Sequence, residues 1–166
     1  MGNGVTQDFT EFVETRSQTL WRAAWLLTGD AALAEDLLQT ALAKTWPHFS
    51  KVSRTGSYEA YVRRTIFTTY ASWWQRKWRG EVPTEQLPEH AGRGADVDLS
   101  LDVRAALAQL SPKQRAVVVL RYFEDLTEAE TALELGCSVG SVKTHHSRAI
   151  ARLRESGLLA RLGGRV

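Results

Sequence analysis

Residues 127–154, TEAETALELGCSVGSVKTHHSRAIARLR, place a short amphipathic segment, a turn and a longer basic segment in succession. Thr127 and Glu130 stand in the S/T-x-x-E relation of a capping box, so a helix is expected from residue 128. Leu135 ends its apolar run, and Gly136 is the residue type that adopts positive φ just past a helix end. Ser138 is placed to cap a second helix. Along that helix Val139, Val142, His146, Ala149, Ile150 and Leu153 recur at spacings of three and four and form one apolar face. Ser141, Lys143, Thr144, His145, Ser147, Arg148 and Arg152 fall largely elsewhere. A docked apolar stripe behind short hydrogen-bonding side chains and cations suits a helix that reads the major groove, with hydroxyls at base edges and cations on phosphates. An amphipathic hairpin with a solvated basic face has the same spacing, so this stretch by itself leaves both readings open.

The rest of the chain bears on the choice. At 166 residues and 43% hydrophobic composition it is long enough for one ordinary domain or two small ones. The formal charge of +2 is slight but uneven. Tyr61 to Arg79 holds five Arg or Lys and no acid, Cys137 to Arg154 holds four and no acid, and Glu81 to Asp102 holds six acids against Arg93 alone. Two basic patches therefore flank an acidic connector, and local clusters matter more than totals for binding a polyanion. The single cysteine, Cys137, excludes an intramolecular disulfide framework and makes no zinc site without further ligands. His145 and His146 are adjacent and diverge around a helix, so no metal or other cofactor is expected. No signal-peptide pattern and no apolar run of membrane-spanning length occurs. The expectation is a soluble, cytoplasmic protein without membrane insertion.

Helical periodicity runs through most of the remaining sequence. Phe9, Phe12, Val13, Leu20, Ala24 and Leu27 predict a first helix over about 7–28, with Gly29 just past its end. Asp30 is placed to cap a second, in which Leu33, Leu37, Leu38, Ala41 and Leu42 form a stripe and Glu35, Asp36, Gln39 and Lys44 occupy the other side; Pro47 is expected to stop it. Residues 47–57 read as a loop. Ser57 is placed to cap a third helix over about 58–78, YEAYVRRTIFTTYASWWQRKW, in which Tyr70, Trp73, Trp74 and Trp78 are interleaved with Arg63, Arg64, Gln75, Arg76 and Lys77. Aromatic planes beside cations are what a single-stranded nucleic acid requires, bases stacking on rings while phosphates are neutralised. The alternative is that these rings fill the core of a small domain. Residues 80–98 carry two prolines, three glycines and five acids with no apolar period and read as a linker. Beyond it, Ser100 is placed to cap a helix over about 101–109, and Ser111-Pro112 restarts one over 112–123. The predicted fold is all-α: two small helical domains, residues 1–80 and 100–162, joined by a flexible acidic linker over 81–99, the second containing the helix-turn-helix.

Taken together, the chain from about Asp8 to Arg154 resembles the bacterial extracytoplasmic-function (ECF) RNA polymerase sigma factors, and its Trp-Trp-x-Arg-x-Trp segment, Trp73 to Trp78, resembles an actinobacterial subgroup. Asp36, Leu37, Leu38 and Gln39 resemble the family's D-L-x-Q-like stretch. Residues 61–79 resemble its promoter-melting helix. LSPKQRAVVVLRYFEDLT and the Val139 to Thr144 and Arg148 to Arg154 segments resemble its second domain. Phe67 and Thr68 stand where many members have Arg-Asn, and His145 where many have Arg, so the resemblance carries helix roles and no promoter sequence.

The resemblance implies a non-enzymatic function, promoter-specific transcription initiation with core RNA polymerase. Asp36, Leu37, Leu38 and Gln39 would meet the polymerase clamp, with Leu38 as an exposed apolar contact. Arg63, Arg64, Tyr70, Trp73, Trp74, Gln75, Arg76 and Lys77 would hold the melted −10 element. Ser141, Lys143, Thr144, His145, Ser147, Arg148 and Arg152 would read duplex at the −35 element. Duplex and melted promoter DNA and core polymerase are the implied partners, with an anti-sigma factor as a further regulatory partner. A dimeric repressor that uses only the helix-turn-helix leaves the aromatic helix without a role and needs a dimer surface. A nuclease needs converging carboxylates, which the basic stretches lack.

Overall fold

The computed structural model describes residues 2–78 and 101–157. The expected linker over 81–99, Arg79 and the Ser100 cap lie outside the described residues. Within them the chain forms eight α-helices: α1 (Gly2–Thr28), α2 (Ala31–Thr45), α3 (Phe49–Thr55), α4 (Tyr58–Trp78), α5 (Leu101–Ala108), α6 (Pro112–Val118), α7 (Glu128–Leu135) and α8 (Val139–Glu155). A 3₁₀ turn at Trp46–His48 joins α2 to α3, and α6 runs into a π-helical turn at Val119–Phe123.

Local chemistry sets most of these boundaries. Gly29 takes φ +69 at the end of α1, and the Asp30 carboxylate accepts from the Leu33 amide at 3.0 Å to open α2. Ser57 accepts from the Ala60 amide at the start of α4. Ser111 and Gln114 form a complete capping box with Pro112 in the first turn of α6, and Thr127 and Glu130 form a second one for α7. Each such cap contributes about 1 kcal/mol by satisfying amides that the helix leaves without partners.

The segment 47–57, expected to be a loop, is largely helical. Pro47 fixes φ at a helical value and has no amide to lose in a first turn, so it starts the 3₁₀ turn at Trp46–His48 and leads into α3. Phe49 then has a place in an aromatic nest with Phe9, Phe12, Trp46 and Tyr58, whose ring centroids lie 4.3–6.2 Å apart among the paired rings. Burial of one ring outweighs the turn-forming composition around it. Beneath the nest, Thr45 Oγ1 and the Tyr58 hydroxyl share a buried hydrogen bond of 2.7 Å.

α1, α2 and α4 pack as a first group of helices through Leu20, Leu27, Leu37, Leu42, Val62 and Ile66. α5 through α8 form a second group around Leu107, Leu120, Ala149 and Leu153, with a small apolar cluster of Val117, Ala132 and Val142 locking the helix-turn-helix. The two groups are in contact, α7 and α6 lying against α4, and buried side chains run continuously from one group to the other.

Candidate nucleic-acid interface

The presentation of α8 follows from its amphipathic period. Val142, Ala149 and Leu153 are fully buried, while Lys143, Thr144, Ser147, Arg148 and Arg152 are exposed and Ser141 and His145 are half-buried beside them. At roughly 100° per residue, Thr144, Ser147 and Arg148 point most directly away from the packed side. Arg152, Ser141 and His145 lie along one flank and Lys143 along the other. The seven residues expected to read duplex DNA thus divide between the outer face of one helix and its two flanks, with His145 nearest the packed side.

The turn that aims this helix is built as its residues require. Gly136 adopts φ +65 and its amide returns to the carbonyl of Leu133. Ser138 accepts from the Ser141 amide at 3.0 Å and donates to the Ser141 hydroxyl at 3.1 Å, which leaves the Ser141 proton free to donate outward. On the packed side, His146 shares a hydrogen bond with the Tyr122 hydroxyl across to the π turn. Burial pushes the His146 imidazole below its usual pKa, and Arg121 adds to this while Glu128 opposes it. His145 is lowered by burial and then by Lys113 and Arg148. Lys113, exposed in the first turn of α6, therefore belongs electrostatically to the basic face of α8. Sequence reading missed it because nothing in the spacing of α6 shows which helix it will lie beside.

The aromatic helix α4 is less open than its composition suggested. Arg64 and Arg76 are exposed, and Trp73 and Trp74 are half-buried against the core. Tyr70, expected to offer a stacking surface, is 4% exposed; its ring meets Trp74 edge-on at 6.2 Å, and burial raises its pKa against the opposing influences of Arg115 and a hydrogen bond from Trp74. The reason is periodicity: Tyr70 follows Val62, Ile66 and Phe67 on the one face of α4 that packs inward. Arg63 is also engaged, 3.7 Å from the Glu124 carboxylate. The side chains of Gln75 and Lys77 lie outside the described residues.

On α2, Asp36 and Gln39 are exposed, and Gln39 donates to Glu35 Oε1 at 3.0 Å. Leu37 and Leu38 are buried, at 0% and 3% exposure. The expectation of an exposed Leu38 is corrected: positions 34, 37, 38, 41 and 42 form one continuous inner stripe, so this surface of α2 is polar. Among the described residues no cluster of His, Cys, Asp and Glu could hold a metal ion, and no helix is long and apolar enough to cross a membrane.

The sequence family described as Sigma-70, region 4 matches residues 100–153, the stretch from α5 through most of α8. Over nearly the whole chain, the RNA polymerase sigma-E factor of Streptomyces coelicolor is 45% identical across 163 residues, covering 95% of this chain and 90% of that protein. The ECF RNA polymerase sigma factor SigL of Mycobacterium tuberculosis is 32% identical across 149 residues, covering 85% and 84%. The chain belongs to the ECF RNA polymerase sigma factors. Among solved structures, the sigma factor RpoE of Bartonella quintana, crystallised with the anti-sigma factor NepR, superimposes with a TM-score of 0.70 at 25% identity, covering 93% of this chain and 98% of that one. ECF sigma factors direct promoter-specific transcription initiation by RNA polymerase. In this ECF sigma factor the region 4 match coincides with the second group of helices, so the exposed face of α8 lies within the part of the chain that the family description covers.

Proposed function

We propose that this ECF sigma factor holds its promoter at two points, with α8 in the major groove of the −35 element and α4 on the melted −10 element, while Asp36 and Gln39 on α2 bind the polymerase clamp. The observation that carries this reading is the outer face of α8, where Thr144, Ser147 and Arg148 project together from a helix whose other side is locked into the core. Hydroxyls and His145 meet base edges; Lys143, Arg148 and Arg152 meet phosphates. Lys143 and Arg152 are nine residues apart, about 13 Å of helix axis, and lie on opposite flanks. A helix seated in the major groove has a phosphate wall on either side, so each flank reaches a different wall.

On α4, Trp73 and Trp74 provide stacking area for bases that leave the duplex, and Arg63, Arg64, Gln75, Arg76 and Lys77 follow the backbone. Tyr70 contributes by supporting Trp74 from within. Residues 1–80 and 100–162 act as separate domains and 81–99 as the tether, so that engagement of one raises the effective concentration of the other. The chain acts in the cytoplasm by binding, without catalysing a reaction, and an anti-sigma factor is its regulatory protein partner.

The test replaces Trp74 by Ala in holoenzyme assembled from core polymerase and the full chain. Closed-complex footprints over the −35 element should persist while permanganate reactivity of the melted strand falls. Undiminished reactivity removes Trp74, and with it the stacking role of α4.

A further inference from the structure

Of the six residues in the apolar period of α8, only His146 can form a directional bond. Val142, Ala149 and Leu153 hold the helix by burial, which is non-directional and resists rolling about the helix axis only through shape. At roughly 100° per residue, His146 lies about 200° from both Thr144 and Arg148, almost directly behind the reading face.

The partner of His146 is Tyr122, whose hydroxyl shares a hydrogen bond with Nε2; the two rings lie 5.5 Å apart with their planes inclined by 30°. Tyr122 is itself held. It sits in the π turn, where the Glu124 amide returns to the Val119 carbonyl at 3.1 Å and the Leu126 amide to the Leu120 carbonyl at 3.0 Å. A π turn is wider than an α-helical one and sets its side chains out of the register of the helix it follows. Arg121 places its guanidinium 5.8 Å from the centre of the Tyr122 ring and donates to the Leu126 carbonyl at 2.5 Å. Burial and the Arg121 charge keep the imidazole uncharged near neutral pH against the pull of Glu128, so the bond adds direction to α8 without adding charge. Neither Tyr122 nor His146 belongs to the residues that face DNA or polymerase.

We infer that Tyr122 is a positioning residue for promoter reading: its hydroxyl, through His146, fixes the roll of α8, so that Thr144, Ser147 and Arg148 meet base edges at one angle. This rests on the reading of α8 as the −35 helix. Hydrogen bonds to base edges weaken steeply once donor and acceptor are misaligned, whereas long cations on flexible stems follow a phosphate through a small rotation. A roll of about 10–20° therefore costs preference among sequences and spares affinity for duplex in general.

The test uses holoenzyme assembled from core polymerase and the full chain, with a promoter mapped for that holoenzyme and a pool of the same promoter in which the upstream element is randomised. Sequencing the retained DNA gives the ratio of the best sequence to each single-base variant. Tyr122→Phe keeps the ring and removes only the hydroxyl; it should lower that ratio about fivefold, the worth of one hydrogen bond, at the positions sensitive to Thr144→Val. His146→Leu should lower it equally and the double variant no further, because the two residues act through one bond. His146→Gln again offers the hydroxyl a hydrogen-bonding partner and should restore most of the ratio. A purely structural role reduces active holoenzyme on every sequence alike and leaves the ratio unchanged. A ratio sensitive to Thr144→Val but not to Tyr122→Phe overturns the inference alone, as do additive losses in the double variant. A ratio indifferent to Thr144→Val overturns the reading of α8 and this inference with it.

Discussion

Removing the three cations that flank the reading face of α8, with Lys143, Arg148 and Arg152 all replaced by Ala, gives a magnitude that follows from the geometry. All three are exposed, and neither of the two ion pairs among the described residues engages them, so the substitutions cost the fold little and leave no carboxylate unpaired. Each phosphate contact releases condensed counterions and contributes about −0.9 to the slope of log K against log salt. Three contacts therefore account for a slope difference of about 2.7, and a fourfold rise in salt should weaken wild-type binding by about 40-fold more than binding by the triple variant. The assay is fluorescence anisotropy of the full chain on a promoter duplex across a salt series, with circular dichroism to verify folding. Single replacements should each reduce the slope by about 0.9, whichever flank they come from. An unchanged slope in the triple variant would mean that α8 does not lie between phosphate walls, and the groove assignment would fall.

Three further outcomes follow from other parts of the chain. Gly136→Ala should lower stability by about 1 kcal/mol, a melting shift of roughly 2–4 °C by calorimetry, because no atom lies within 4 Å of the new methyl and only the left-handed backbone is penalised; a loss of several kcal/mol would point to a clash that the geometry lacks. His145 and His146 both have folded pKa values below the unfolded value, so the native state binds fewer protons and their stabilising contribution is complete above about pH 6.5 and lost as pH falls below it. Melting temperature should therefore drop between pH 7.5 and 5.5, and less so in a His145→Gln, His146→Gln variant; equal drops in both would assign the effect elsewhere. Asp36→Ala, at an exposed position, should leave the melting temperature within about 1 °C while weakening competition for core polymerase several-fold, and undiminished competition would remove Asp36 from the clamp contact.

What could be read from the sequence, and what could not, divides along a physical line. The caps at Asp30, Ser111 and Thr127, the Gly29 and Gly136 turns, and the apolar stripe of α8 are local, depending on side chains three or four residues apart. Each appears in the structure where the spacing put it. Segment 47–57 was misread because its helical state depends on Phe49 reaching Phe9 and Tyr58, a contact across distant positions. For Leu38 the spacing in α2 already places it in the apolar stripe with Leu37, Ala41 and Leu42, and the structure buries it there; the exposed contact came only from the family resemblance. Tyr70 shows a limit of local pattern: an aromatic beside cations suits a stacking platform and a core position equally, and only packing distinguishes them. Arg115 has no signal in its own helix, since its partner is a carbonyl 89 residues away.

On the proposed two-point reading, this chain, added to core RNA polymerase, selects promoters through two surfaces. Transcription of a genomic library with core polymerase and the purified chain, followed by mapping of RNA 5′ ends, tests it most directly. The expected result is start sites absent with core alone, each preceded by two sequence elements at fixed spacing, the upstream one changing in preference when Thr144 or His145 is replaced. Start sites identical to those of core polymerase alone, or sites whose upstream sequence is indifferent to those replacements, would contradict it.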